Sequence, residues 1–181
     1  MTIKSTFEDC LLTGTNAMVT LTDSLKDEKF VKQVEAAVNV ICKTSGRLVI
    51  SGMGKSGIIG KKLVATFAST GTPSLFLHPA EASHGDLGML CKDDVLLLMS
   101  FSGESRELID IIRYSKRFNV PIIAFTANAN STLGKAADIL LQLPKVKESC
   151  PHNLAPTSST LIQLALGDAL AITLLKEKGF S

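Results

Sequence analysis

The sequence has almost no excess charge. Nineteen basic residues against seventeen acidic ones leave a formal net charge of +2, which excludes a polycation and gives nucleic acid no electrostatic footprint. It has no tryptophan and only 5% aromatic residues, yet 45% of it is hydrophobic and 20% charged, a balance that excludes a disordered chain. No C-x-x-C pair occurs. The four cysteines, Cys10, Cys42, Cys91 and Cys150, lie far apart, which argues against a disulfide scaffold and against a zinc ribbon; free, mostly buried thiols in a reducing cytoplasm are expected. The opening MTIKSTFEDC lacks an apolar core, so nothing in it points to secretion. The most apolar long stretch, residues 154–178, is interrupted by Gln163 and Asp168 and follows cap-type residues. A buried helix fits it better than a membrane span. The three histidines, His78, His84 and His152, fall at no ligand spacing, so no purposeful metal site is expected.

What is present is an alternation. At 181 residues the chain fits one domain, with residues 1–45 read as N-terminal helices and 46–181 as an α/β core closed by a helix. From Arg47 onward, short apolar runs (RLVIS, SLFLH, DVLLLMS, PIIAFT and DILLQLP) alternate with helix-like segments at 56–69, 104–117 and 131–137. Continuous apolar runs of that length between amphipathic segments predict a five-stranded parallel sheet with crossover helices on both faces. Residues 3–24 and 28–43 read as helices; the second carries Phe30, Val31, Val34, Ala37, Val38 and Ile41 at helical spacing.

The stretch SGMGKSG at 51–57 contains a GKS triplet and also the spacing G-x-G-x-x-G. The triphosphate-binding loop fails on spacing, because the position five residues before Gly54 is Val49, inside the strand. The dinucleotide fingerprint fits locally through Gly52, Gly54 and Gly57, but needs an acidic residue at the end of the next strand, where His78 stands. The physics common to both motifs survives: backbone N–H groups at a helix start, with Ser51, Lys55 and Ser56, favour a compact anion. SFSGES at 100–105 brings Ser100, Ser102, Gly103 and Ser105 to a second helix start, and TSST brings Thr157, Ser158, Ser159 and Thr160 to a third. Each alone reads as a helix cap; together they favour a phosphate monoester, and without an adenosine-binding acid the ligand expected is a sugar phosphate. Ligands of open parallel sheets sit beyond the carboxyl ends of the strands, where both Ser/Gly loops leave.

These residues resemble the sugar isomerase (SIS) fold, and within it the D-arabinose 5-phosphate isomerases. The resemblance runs through GMGKSGIIGKKLVATFASTGTPSLFLHPAEASHGDLGML at 52–90, SFSGESREL, KESCP and LAPTSSTLIQLALGDALAITLLKEKGF, covering roughly residues 30–180. It implies a flavodoxin-like strand order and interconversion of D-arabinose 5-phosphate and D-ribulose 5-phosphate on the way to Kdo for lipopolysaccharide or capsule. It also implies a homotetramer with active sites shared between subunits. Longer members continue into a segment like SHPGG, carrying a catalytic histidine, and then into paired CBS modules; the sequence stops at Ser181 and is expected to be the form without them.

Isomerisation through an enediol needs a base between C1 and C2 and a group to polarise the carbonyl, and no cofactor. Lys55 matches the family's essential lysine; otherwise it is a solvated surface residue. Glu107 and Glu148 match family glutamates, either able to act as the base or to orient it; the alternatives are a first-turn acid and a loop charge. Glu104 reads as a cap. His84 matches an active-site histidine, lies in an irregular connection, and belongs to the residue type suited to shuttling protons near neutral pH. His78 reads as a hydrogen-bonded structural residue and His152 as an outside candidate. Asp86 either orients His84 or forms a turn with Leu87 and Gly88. Two other activities stay open: a non-catalytic sugar-phosphate-binding module, and a nicotinamide-dependent oxidoreductase, which His78 disfavours. No membrane or nucleic-acid partner is expected.

Overall fold

The computed structural model describes residues 2–179; Met1, Phe180 and Ser181, which the expected domain includes, lie outside the described residues. Two helices lead, α1 (Ile3–Asp23) and α2 (Glu28–Lys43), joined by a 3₁₀ turn at Ser24–Lys26. Thr2 caps α1 and Asp27 caps α2 through side-chain acceptors, so both helices begin within a residue of where the apolar spacing starts. The core then alternates β1 (Leu48–Gly52), α3 (Gly54–Ser69), β2 (Ser74–Phe76), α4 (Pro79–Ala82), β3 (Val95–Met99), α5 (Ile109–Phe118), β4 (Ile122–Thr126), α6 (Thr132–Ala136), β5 (Ile139–Gln142) and α7 (Ser158–Glu177).

All five strands are parallel and lie in the order β2-β1-β3-β4-β5, the doubly wound flavodoxin-like arrangement that was expected. Alternation along each strand sends side chains to two faces. Leu48, Ile50, Leu97, Met99 and Phe125 pack with α2, α3 and α7 on one side, while Val49, Leu96, Leu98 and Ala124 pack with Leu108, Ile111 and Leu133 on the other. The central strands β1, β3 and β4 are buried at every position, which explains why they read as uninterrupted apolar runs.

At the amino edge of the sheet one polar device is used twice. Asp94, just before β3, accepts from the Arg47 N–H at 2.8 Å at the entrance to β1, and Asp138, just before β5, accepts from the Ile122 N–H at 2.8 Å at the start of β4. Each carboxylate also meets a cation, Arg47 at 3.0 Å and Lys116 at 2.6 Å. Burial pushes the Asp94 carboxyl up, but hydrogen bonds from Arg47 and from the Cys91 N–H outweigh it, and the group ends below the usual range.

Three sequence expectations need correction. Helix α3 begins at Gly54 rather than 56, so Lys55 and Ser56 lie inside its first turn, and Ser51 lies inside β1. The segment at 104–117 opens as a 3₁₀ turn at Arg106–Leu108 before α5. The thiols are free but not buried: Cys10, Cys42 and Cys91 are exposed and Cys150 is half-buried. The inward positions of α2 are taken by Phe30, Ala37, Val38 and Ile41, which leaves Cys42 a step of helix rotation off the core face. Helix α7 is long and apolar enough to cross a membrane, but half of that stretch is buried, with Ile162, Leu166, Leu170 and Leu174 in the core shared with α2 and α3.

Helix α3 lies unusually close to β1. A Cβ on Gly57 would run into the carbonyl of Gly52, a backbone atom that cannot move without shifting the strand. Gly57→Ala is therefore expected to destabilise the fold by about 1–3 kcal/mol in urea unfolding, the cost typical of overpacking a fixed contact.

Candidate functional site

In this strand order the chain leaves β1 and β3 toward opposite faces, so a crevice opens between their carboxyl ends. The register places Gly52 beside Met99, and the turns that follow, 53–56 and 100–105, rise from adjacent strands at that crevice. Two of the three predicted serine-bearing segments are thus brought together by the sheet itself.

The α3 turn starts without a side-chain cap. Its N-cap is Met53, which supplies no side-chain hydrogen bond, whereas Thr2, Asp27, His78 and Ser131 cap their helices with side-chain acceptors. The first N–H groups of α3, on Gly54, Lys55 and Ser56, have no intrahelical acceptor and carry the positive end of a 16-residue helix. Lys55 is exposed in that turn and forms no salt bridge among the described residues. Ser51 sits just beneath: its hydroxyl is fully buried on the same strand face as Val49 and has no hydrogen-bond partner.

The β3 turn is held by its own hydroxyls. Ser100 Oγ accepts from the Gly103 N–H at 3.1 Å and lies 2.9 Å from Ser105 Oγ, and Ser102 Oγ accepts from the Glu104 N–H at 3.2 Å. Gly103 adopts φ of 74°, and any Cβ there would collide with the Ser131 side chain. Glu104 is a cap, as expected, but of another helix: it accepts from Thr132 N at 3.0 Å and Thr132 Oγ1 at 2.7 Å, and these bonds lower its pKa. The β3 turn is thereby tied to the start of α6.

The third segment comes in from the side. Lys62 reaches Asp168 at 2.5 Å and Lys178 reaches Thr72 at 3.1 Å, both pairs 106 residues apart, and a Cβ on Gly167 would strike the Leu63 side chain. A constant offset means that α3 and α7 run parallel, so their N-termini lie side by side. Here Glu148 intervenes. Its Oε2 accepts from Thr157 N at 2.7 Å, Thr157 Oγ1 at 2.9 Å and Ser159 N at 3.3 Å. Glu148 is only 8% exposed, and burial raises its pKa, yet the bonds from Ser159 and Thr157 outweigh this and keep it below the usual glutamate range. It caps α7 from nine residues upstream and engages the Thr157 and Ser159 N–H groups; the Ser158 hydroxyl, 1% exposed, has no partner.

Glu107 and His84 lie on the opposite side of the crevice. Glu107 is exposed in the 3₁₀ turn before α5, and His84 is exposed just after α4. The two elements are joined by a 2.9 Å bond from Ser83 Oγ to Asp110. Asp86 opens a 3₁₀ turn and makes no hydrogen bond to His84 among the described residues. His78 is structural: its Nδ1 accepts from the Ala80 N–H at 3.3 Å and caps α4. His152 is exposed in the turn leading to α7. Among the described residues no group of three or more His, Cys, Asp or Glu side chains is placed to hold a metal ion. One polar residue in this region was not singled out as functional from the sequence: Gln163, on the second turn of α7, is fully buried with neither amide atom bonded. Its only sequence signal is a polar residue inside an apolar helix.

The chain is thus a doubly wound α/β domain with an uncapped helix start and a serine-glycine turn flanking its switch point. The chain belongs to the SIS domain family, whose model matches residues 29–173. It is 50% identical over 173 residues to a probable arabinose 5-phosphate isomerase of Haemophilus influenzae, across 96% of this chain and 50% of that protein. It is 52% identical over 154 residues to the arabinose 5-phosphate isomerase KdsD of Pseudomonas aeruginosa, across 85% of this chain and 46% of that one. The chain thus spans about half the length of the curated relatives it matches. Among solved structures, an Escherichia coli CFT073 protein in complex with arabinose 5-phosphate superposes with a TM-score of 0.91 at 35% identity, covering 100% of this chain and 95% of that one.

Because its folded pKa is lowered, Glu148 stabilises α7 fully above the ordinary glutamate value of about 4.3 and loses this as pH falls through the lower folded value. Glu148→Gln is expected to cost about 0.5–2 kcal/mol at neutral pH, as for other lost caps. In thermal melts between pH 7 and pH 3 the gap between the two proteins should close at the acid end.

Proposed function

We propose that this protein is an aldose-ketose isomerase interconverting D-arabinose 5-phosphate and D-ribulose 5-phosphate, an early step toward Kdo. The observation that carries the reading is the uncapped, lysine-bearing start of α3 at the β1/β3 switch point, in a chain about half identical to arabinose 5-phosphate isomerases over most of its length. The phosphoryl group sits on the N–H groups of Gly54, Lys55 and Ser56 and on the hydroxyls of Ser100, Ser102 and Ser105. Thr157 and Ser159 serve indirectly, by fixing Glu148, with Ser158 left to face the ligand.

The chemistry then requires one proton to leave C2 of the aldose, the carbonyl oxygen at C1 to gain one, and the enediol to return a proton to C1 while the C2 hydroxyl gives up its own. The Lys55 ammonium stabilises negative charge as it develops on the two oxygens. Glu107 and His84, together across the crevice and free of competing partners, move the protons. Glu148 is ill-suited to that role, since three donors and a lowered pKa weaken it as a base, so its contribution is to hold the α7 start. No cofactor is needed for the internal redox change. The reaction belongs in the cytoplasm, and exposed free thiols fit a reducing compartment. A homotetramer is supported by apolar side chains left exposed on α1, Ile3, Phe7, Leu11 and Leu12 among them.

Supplied with arabinose 5-phosphate and no cofactor in D₂O, the protein should form the ketose with deuterium at C1, and aldose regenerated by the reverse reaction should carry it at C2. Lys55→Ala and Glu107→Gln are each expected to slow turnover by about 100-fold to 10,000-fold. Binding without turnover in the parent protein would make it a sugar-phosphate-binding module instead. Light scattering should return four times the chain mass; a monomer would remove the shared-site arrangement.

A further inference from the structure

Among the described residues Ser51, Ser115 and Ser158 each bury one hydroxyl without a partner, but Gln163 alone buries two unbonded polar atoms. It is fully buried, neither Nε2 nor Oε1 has a hydrogen-bond partner, and its neighbours on the inward face of α7 are Ile162, Leu166, Leu170, Ala171 and Leu174. A leucine would fill the same space without stranding two polar atoms, so a buried amide here destabilises the fold on its own account. Violations of this kind concentrate where a site needs them.

The packing says which site. Helices α3 and α7 run parallel, with Leu63 against Gly167 and Lys62 against Asp168. One helical turn back along both sets Gln163 at the level of Ile59, and one more sets Ser159 at the level of Lys55. The amide therefore lies about one turn of 5.4 Å below the paired helix starts. Side chains on a helix lean toward its N-terminus, a tendency that carries the Gln163 side chain from its own turn toward that of Ser159.

We infer that Gln163 is a positioning residue for the phosphoryl group: sealed from the ligand, it donates from Nε2 to one bound water that in turn donates to a phosphoryl oxygen above it. Site and geometry both rest on the sugar-phosphate reading, but the inference concerns anion affinity rather than turnover, and the two can fail separately.

The test compares Gln163→Leu and Gln163→Met with the parent protein. Loss of one hydrogen-bonded link predicts a Kd for inorganic phosphate, measured by calorimetry, raised about tenfold, and a KM for arabinose 5-phosphate raised by a similar factor. The kcat should stay within about twofold, because the interaction is the same in ground and transition states. Melting temperatures should hold or rise, which a merely structural hydrogen bond would not allow. Unchanged phosphate affinity in a folded variant overturns the inference, as does a fall in melting temperature with KM intact. A crystal structure of the parent with inorganic phosphate decides the matter even if neither variant folds: one water between Gln163 Nε2 and the anion supports it, and an amide bonded only to protein overturns it. If the parent binds phosphate but does not isomerise arabinose 5-phosphate, the isomerase reading fails while the phosphate comparison still stands or falls by itself.

Discussion

The contact between α3 and β1 governs the rest of the molecule. Because neither Gly52 nor Gly57 carries a side chain, the helix settles with its second turn against the strand's last carbonyl. That closeness fixes where α3 begins, at Gly54, and aims its first N–H groups over the carboxyl end of β1. The residue at the cap position is Met53, which has no side-chain acceptor to offer, so the helix start is left with donors to satisfy. Elsewhere in the chain Thr2, Asp27 and Ser131 satisfy such donors with their side chains.

The two edges of the sheet divide the labour of its polar groups. At the amino edge, Asp94 and Asp138 each clasp the first N–H of a neighbouring strand and a cation, so both strong acceptors there are used up in tying strands together. At the carboxyl edge the polar groups are only half used. Among the described residues Ser51, Ser158 and Gln163 are buried here without partners, as Ser115 is on α5, and the side chains of Lys55, Glu107 and His84 form no hydrogen bond or salt bridge. Satisfied groups hold the fold rigid, and unsatisfied ones on that rigid frame are where binding energy remains to be gained. Glu148 belongs to the first kind despite its address: a carboxylate that accepts three bonds organises the α7 start and keeps the two helix ends side by side.

Much of this was legible in the order of residues, because the features involved are local. Short apolar runs alternating with amphipathic segments marked all five strands, and α1 and α2 ended within a residue or two of the spacing that suggested them. The stretch at 51–57 raised the expectation of an anion site through a lysine and serines at a strand-to-helix turn, and His78 in place of an acid argued against a dinucleotide by residue type alone. Other features were hidden because their partners are remote in sequence. Glu104 looked like a cap for the helix it opens, yet it bonds Thr132, 28 residues on. Cys10 and Cys42 looked like core residues by composition, and only the packing of their helices turned them outward.

The sequence by itself determined the kinds of element, their order, and the presence of serine-rich, lysine-bearing helix starts, since periodicity, turn chemistry and cap preference act within a few residues of one another. Tertiary structure alone decided which of those starts stay open. The offset of 106 residues between α3 and α7, the strand exchange at β1 and β3, and the reach of Glu148 to α7 set which donors are already bonded, and a donor's availability depends on what lies opposite it in space.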